Sequence, residues 1–289
     1  MRKIYVILML TGYIALGRIN AMPNIWFDEL TAENIQAIFA HGQTLGNHAL
    51  VFAKVGDSIT VSPSYLYAIG EGYFDLGDYA DLHPIIRYFS AVTLNNTYRT
   101  SFNHQSASAG VGWSAFHAFD TTSPKPAYCG LYEAPIACEY RTLKPSFAVI
   151  LFGTNDVGYR TDAQFETDMR RIIDYSIEQG VIPILSTIPP QIGTPNPHRI
   201  ETFNQIILGL VADYHLPYMD YHRAMNGLAN RGLTGDGLHP STPPRGYEDT
   251  ARFDENTLRY GYVVRNLLTL EILNSTARTA LMQYQTDKP

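Results

Sequence analysis

Four side chains in this sequence have types suited to acyl transfer, and they fall in three short motifs. Ser58 lies in "FAKVGDSITVS", Asn155 in "FGTNDVG", and Asp236 and His239 together in "GDGLHPS". A serine hydroxyl is a poor nucleophile until a base takes its proton, and histidine is the side chain suited to that task near neutrality. The imidazole needs a carboxylate on its other nitrogen to fix its tautomer and stabilise its charged form. An Asp-x-x-His turn supplies both from one loop. The oxyanion of such a reaction requires preset donors, here the Ser58 backbone N–H, a glycine N–H and the Asn155 side-chain amide. Pro240 pushes His239 toward extended backbone and limits its freedom.

Plainer readings stand beside these. Gly-Asp-Ser is ordinary turn chemistry, and Asp57 reads as a brace for that turn. Asp156 reads as a structural loop acid, and His239 alone could be a buried structural histidine. Asp220 and His222 in "MDYHRAM" mimic a dyad, but a helix start explains Asp220 better. Position along the chain decides between the two kinds of reading.

Apolar runs bounded by turn residues predict strands at "HALVFAKVG" (48–56), "SFAVILFG" (146–153), "VIPILSTI" (181–188) and "LPYMDY" (216–221). Helical spacing appears in "LTAENIQAIFAHG" (30–42), with Thr31 as its cap, and in "HRIETFNQIILGLVADYH" (198–215). It appears again in "DAQFETDMRRIIDYSIEQG" (162–180), where Phe165, Met169, Ile172, Ile173 and Ile177 share a face. A last long helix is expected over 256–273. Buried strands alternating with helices imply a parallel sheet covered on both faces. Such sheets bind ligands at the carboxyl ends of their strands. Ser58 follows the first strand, Asn155 the second, and Asp236 and His239 the last, so all four fall on one predicted edge. The irregular stretches 62–109 and 189–198 are long, and the tyrosines from 65 to 88 read as packing ahead of a ligand platform.

The chain as a whole sets bounds. Its 289 residues are 45% hydrophobic and 17% charged, too apolar for disorder. A net charge of -6 argues against nucleic-acid binding, which needs a basic stripe. Arg2 and Lys3, the apolar run "IYVILMLTGYIAL" and "INA" ending at Ala21 read as a cleaved signal peptide over 1–21, with an uncleaved anchor as the alternative. That run is too short to span a bilayer, so an exported protein without stable membrane insertion is expected. Without repeats or linkers, 22–289 reads as one domain. In an exported protein Cys129 and Cys138 should form a disulfide, worth roughly 2.5–3 kcal/mol for a loop of about ten residues. Two thiols without a nearby second ligand pair make a poor zinc site.

"VGDSIT", "FGTND" and "DGLHP", in that order, resemble the SGNH (GDSL-type) hydrolases. The resemblance spans residues 56 to 239. It implies a flavodoxin-like three-layer α/β/α fold with Ser58 as nucleophile, Asp236 and His239 completing a triad, and Asn155 in the oxyanion hole. The family's glycine falls in "SASAGVGWSAF", where Gly112, followed two residues later by Ser114, fits better than Gly110. The resemblance implies a carboxylic ester substrate carrying an acyl or acetyl group on carbohydrate, lipid or a small alcohol. No metal or organic cofactor is implied. An acyltransferase using the same triad and a non-catalytic glycan-binding module on the same fold are the rival expectations.

Overall fold

The computed structural model describes residues 27–94, 99–194 and 198–286. The expected signal segment, 1–21, lies outside the described residues. Four parallel strands form the sheet: β1 (His48–Gly56), β2 (Pro145–Leu151), β3 (Ile182–Ser186) and β4 (Tyr218–Met219), side by side in that order. Registers such as Gly56 with Leu151, Ile150 with Leu185 and Ser186 with Met219 align their carboxyl ends. The fourth strand is much shorter than the expected 216–221.

The free edge of β1 is covered by residues 106–110. Gly56 donates its N–H to Ser108 O at 3.0 Å, the Gly110 N–H returns to Gly56 O at 3.1 Å, and Gly56 pairs with Ala109 as a parallel bridge. Counting this segment as the second strand gives the flavodoxin-like order 2-1-3-4-5. The reversal of strand order falls at β1, where a doubly wound sheet opens a crevice. Ser58 therefore stands at the switch point.

The helices are α1 (Glu29–Thr44), α2 (Ser58–Val61), α3 (Tyr67–Gly70), α4 (His83–Ser90), α5 (Pro135–Leu143), α6 (Asp162–Glu178), α7 (His198–Tyr214), α8 (Tyr221–Asn226) and α9 (Gly261–Thr286). Alternation along the strands sorts them into two layers. Phe52, Phe147, Val149 and Leu151 face α1, α4, α8 and α9, while Ala53, Val55, Ala148 and Ile150 face α5, α6 and α7. Asp28, not Thr31, caps α1, accepting the Thr31 N–H at 2.8 Å. The last helix starts later than the expected 256 and runs past 273, with Ser275 and Thr276 buried in it.

The tyrosine-rich stretch packs as expected. Tyr65 and Tyr79 are core residues, and Tyr73 is exposed. Cys129 and Cys138 form a disulfide with Cα atoms 5.5 Å apart, tying the loop before α5 to that helix. Asp220 caps α8, accepting the Arg223 N–H at 3.1 Å, and His222 Nδ1 lies 3.0 Å from Ile188 O. That pair is structural.

Candidate active site

At the end of β1, a Cβ on Gly56 would collide with the Thr60 hydroxyl and the Leu151 carbonyl, so the close turn into α2 requires glycine. Asp57 caps α2 by accepting the Ile59 N–H at 2.9 Å. Burial pushes the Asp57 carboxyl up to about 6, against the pull of the Arg265 charge. Ser58 begins α2, and its own N–H has no partner among the described residues.

The Ser58 Oγ lies 3.1 Å from His239 Nε2, and His239 Nδ1 lies 2.7 Å from Asp236 Oδ2. Asp236 Oδ1 accepts the Thr234 hydroxyl at 2.6 Å, the Leu238 N–H at 2.9 Å and the His239 N–H at 3.0 Å. Burial by itself would push this carboxyl up. Bonds from Thr234, the His239 ring and the two backbone N–H groups outweigh it and hold Asp236 well below the usual carboxylate range. An ionised Asp236 fixes the proton of His239 on Nδ1 and leaves Nε2 to accept from Ser58. The loop is closed by the Thr234 N–H on His239 O at 2.8 Å and by a bridge between Leu233 and Pro240. Gly237 sits at φ +69, where a Cβ would also meet the Ile192 carbonyl.

Two loops flank the end of β1. On the outer side, Gly110 has its N–H bonded to Gly56, whereas the N–H of Gly112 has no partner among the described residues. Gly112 takes φ +76 with open space around it. On the inner side, Asn155 donates through Nδ2 to Trp113 O at 2.7 Å, leaving its second amide hydrogen for another acceptor. Asp156 joins the two loops, accepting the Ala115 N–H and the Gly153 N–H, both at 3.0 Å. Burial pushes its carboxyl up to about 7, against the pull of those N–H bonds. Tyr159 adds a hydroxyl contact to Ser114 at 2.5 Å.

A hydroxyl bonded to a base, with that base oriented by a carboxylate, is an arrangement that acyl transfer can use. Asp156 is a structural loop acid, as expected, while the cross-loop ties of Trp113 and Tyr159 carry no local sequence signal.

The profile described as the GDSL-like Lipase/Acylhydrolase family matches residues 55–248. No curated protein matches the chain. Among solved structures, LAE5, described as an alpha/beta hydrolase enzyme from the metagenome of Lake Arreo, Spain, is 14% identical with a TM-score of 0.50. The match covers 78% of this chain and 95% of LAE5. A GDSL-like lipase from Bacteroides thetaiotaomicron is 15% identical with a TM-score of 0.46, covering 84% of this chain and 98% of its own. A catalytic mutant of Axe2, an acetylxylan esterase from Geobacillus stearothermophilus, is 16% identical with a TM-score of 0.47, covering 77% and 93% respectively.

Proposed function

Because this chain belongs to the GDSL-like lipase/acylhydrolase family, we propose that it is an exported enzyme that hydrolyses carboxylic esters through Ser58, His239 and Asp236. The observation that carries the reading is the unbroken chain from Ser58 Oγ through the His239 ring to Asp236 Oδ2. Ser58 Oγ attacks the ester carbonyl carbon as its proton passes to His239 Nε2, and Asp236 stabilises the imidazolium. The carbonyl oxygen becomes an oxyanion, held by the N–H groups of Ser58 and Gly112 and by the Asn155 amide. The C–O bond to the alcohol then breaks, and the leaving alkoxide takes the proton from His239. Water, deprotonated by the same nitrogen, attacks the acyl carbon; the bond to Ser58 Oγ breaks, that oxygen takes the proton back from His239, and the acid is released.

Hydrolysis is favoured over acyl transfer to another alcohol because Asp236 and His239 are substantially exposed, so water reaches the acyl-enzyme. The acyl or acetyl group would sit on carbohydrate, lipid or a small alcohol. Of the tyrosines of 65–88, Tyr65 and Tyr79 are core residues and so are not part of a sugar platform. Export is supported by the Cys129–Cys138 bridge, which belongs to an oxidising compartment. Among the described residues no helix is long and apolar enough to cross a membrane.

The test is covalent. A fluorophosphonate probe should label Ser58 stoichiometrically, and a short nitrophenyl ester should give an acyl burst. Ser58→Ala should abolish both with its circular-dichroism melt unchanged. Activity in Ser58→Ala above about one part in a thousand of wild type would remove Ser58 as nucleophile.

A further inference from the structure

We propose that Arg265, from the C-terminal helix α9, is a positioning residue for the nucleophile, holding Ser58 in place through the two residues that follow it, Ile59 and Thr60. The inference rests on the reading of Ser58 as nucleophile. It concerns a part of the chain outside the family match, which ends at 248, whereas α9 begins at Gly261.

Arg265 is fully buried. Its Nη1 donates to the Ile59 carbonyl at 2.7 Å and its Nη2 to the Thr60 hydroxyl at 3.0 Å. Its guanidinium lies 3.6 Å from the centroid of the Tyr65 ring. The Ile59 N–H, in turn, is bonded to Asp57. Ile59 is thus held at both backbone groups, by Asp57 on one side and Arg265 on the other, and Ser58 is the residue between the cap and the clamp. A buried guanidinium is costly without an opposing charge. Asp57 supplies that charge from the same turn, and the attraction draws its carboxyl down against the effect of burial. The planar fork of arginine suits this double contact, where a lysine would offer one point charge.

The same side of α9 fixes the chain that leaves the turn. Asn266 Oδ1 accepts the Leu66 N–H at 3.1 Å, and its Nδ2 donates to Ser64 O and Thr250 O, both at 3.0 Å. Leu66 sits at φ +69, a left-handed conformation that a branched side chain keeps only when its surroundings impose it. The Thr269 hydroxyl lies 3.3 Å from the Tyr65 hydroxyl, locking the ring on which Arg265 stacks. Residues 265, 266 and 269 share one side of the helix, so a polar row on α9 grips the segment 59–66.

The test compares Arg265→Met and Arg265→Lys with wild type at a temperature where circular dichroism shows each folded. It reads the rate of fluorophosphonate labelling at Ser58, kcat and KM for a short nitrophenyl ester, and Tm. A positioning role predicts that Arg265→Met lowers both the labelling rate and kcat at least tenfold with KM nearly unchanged, and that Arg265→Lys recovers part of both. A folded Arg265→Met with a lower Tm but wild-type labelling and kcat overturns the proposal, because the arginine would then serve the core alone. Should Arg265→Met not fold, Arg265→Lys decides, and labelling at the wild-type rate in that variant overturns it. Equal labelling of wild type and Ser58→Ala would overturn the nucleophile reading and this inference with it. Labelling that is lost in Ser58→Ala but unaffected by either Arg265 variant overturns this inference alone.

Discussion

The side-chain amide of Asn155 donates to the carbonyl oxygen of Trp113 at 2.7 Å, linking the two loops that flank the end of β1. One amide hydrogen is used in that link, which fixes the plane of the amide and hence the direction of the other. In the proposed mechanism the bond therefore aims the oxyanion donor as well as tying the loops together.

Asn155→Ala should reduce kcat by roughly 10²–10³, or about 2.7–4 kcal/mol of transition-state stabilisation. KM should change little, since the donor faces a charge that exists only in the transition state. Loss of the Trp113 bond should also lower Tm slightly. Steady-state kinetics with a thermal melt checks this, and a stable variant with near-native kcat would remove Asn155 from the oxyanion hole.

Asp236→Asn tests the orientation of the base. Three donors surround Oδ1, so an asparagine would keep its oxygen there and turn its NH2 toward His239. The ring would then carry its proton on Nε2 and could not accept from Ser58. The expected loss in kcat is on the order of 10⁴, with Tm nearly unchanged because the three donors stay satisfied. A loss below tenfold would show that the tautomer is set elsewhere.

Lys54 gives a pH signature of the fold. It lies fully buried on β1, donating to Phe102 O at 2.8 Å with its ammonium 4.8 Å from the Tyr67 ring centroid. Burial pushes it down to about 7, opposed by the Glu139 charge and assisted by Arg265 and Arg99. Below pH 7 both folded and unfolded chains hold the proton, and the buried charge destabilises the fold in full. Between about pH 7 and 10.5 the folded chain has released the proton that the unfolded chain keeps, so stability rises with pH. The slope is at most about 1.4 kcal/mol per pH unit. Lys54→Met should therefore be at least as stable as wild type at pH 6–7, with wild type gaining on it steadily toward pH 10. Denaturant melts of both proteins across that range check it, and a pH-independent difference would refute it.

Much of the site was legible because each catalytic candidate is local to its own motif. Glycine, aspartate and serine after an apolar run specify a strand that ends in a tight turn. Asp236 and His239 are close enough in sequence for one loop to pair them. Spacing to Ser114 favours Gly112 over Gly110 in the sequence, and the two glycines differ in their hydrogen bonding. Residues 106–110 run along β1, so the Gly110 N–H is already bonded to Gly56. That short edge segment has no apolar alternation, and no sequence pattern announces it as the second strand of the sheet.

The sequence by itself determined the strand–helix alternation, the parallel sheet, the edge on which Ser58, Asn155 and His239 fall, and the cysteine pair. All of these follow from periodicity, turn chemistry and short-range spacing. Tertiary structure alone decided what holds those residues still. Asp156 ties Gly153 to Ala115, Asn155 reaches Trp113, and Arg265 reaches back across the fold to Ile59 and Thr60. The reason is that a buried polar side chain must find its partner wherever packing brings one, at any distance along the chain. In "YGYVVRNLLTLEIL" Arg265 looks like a charge on the wet face of a helix, and only the packing of α9 against the turn of Ser58 shows it to be fully buried.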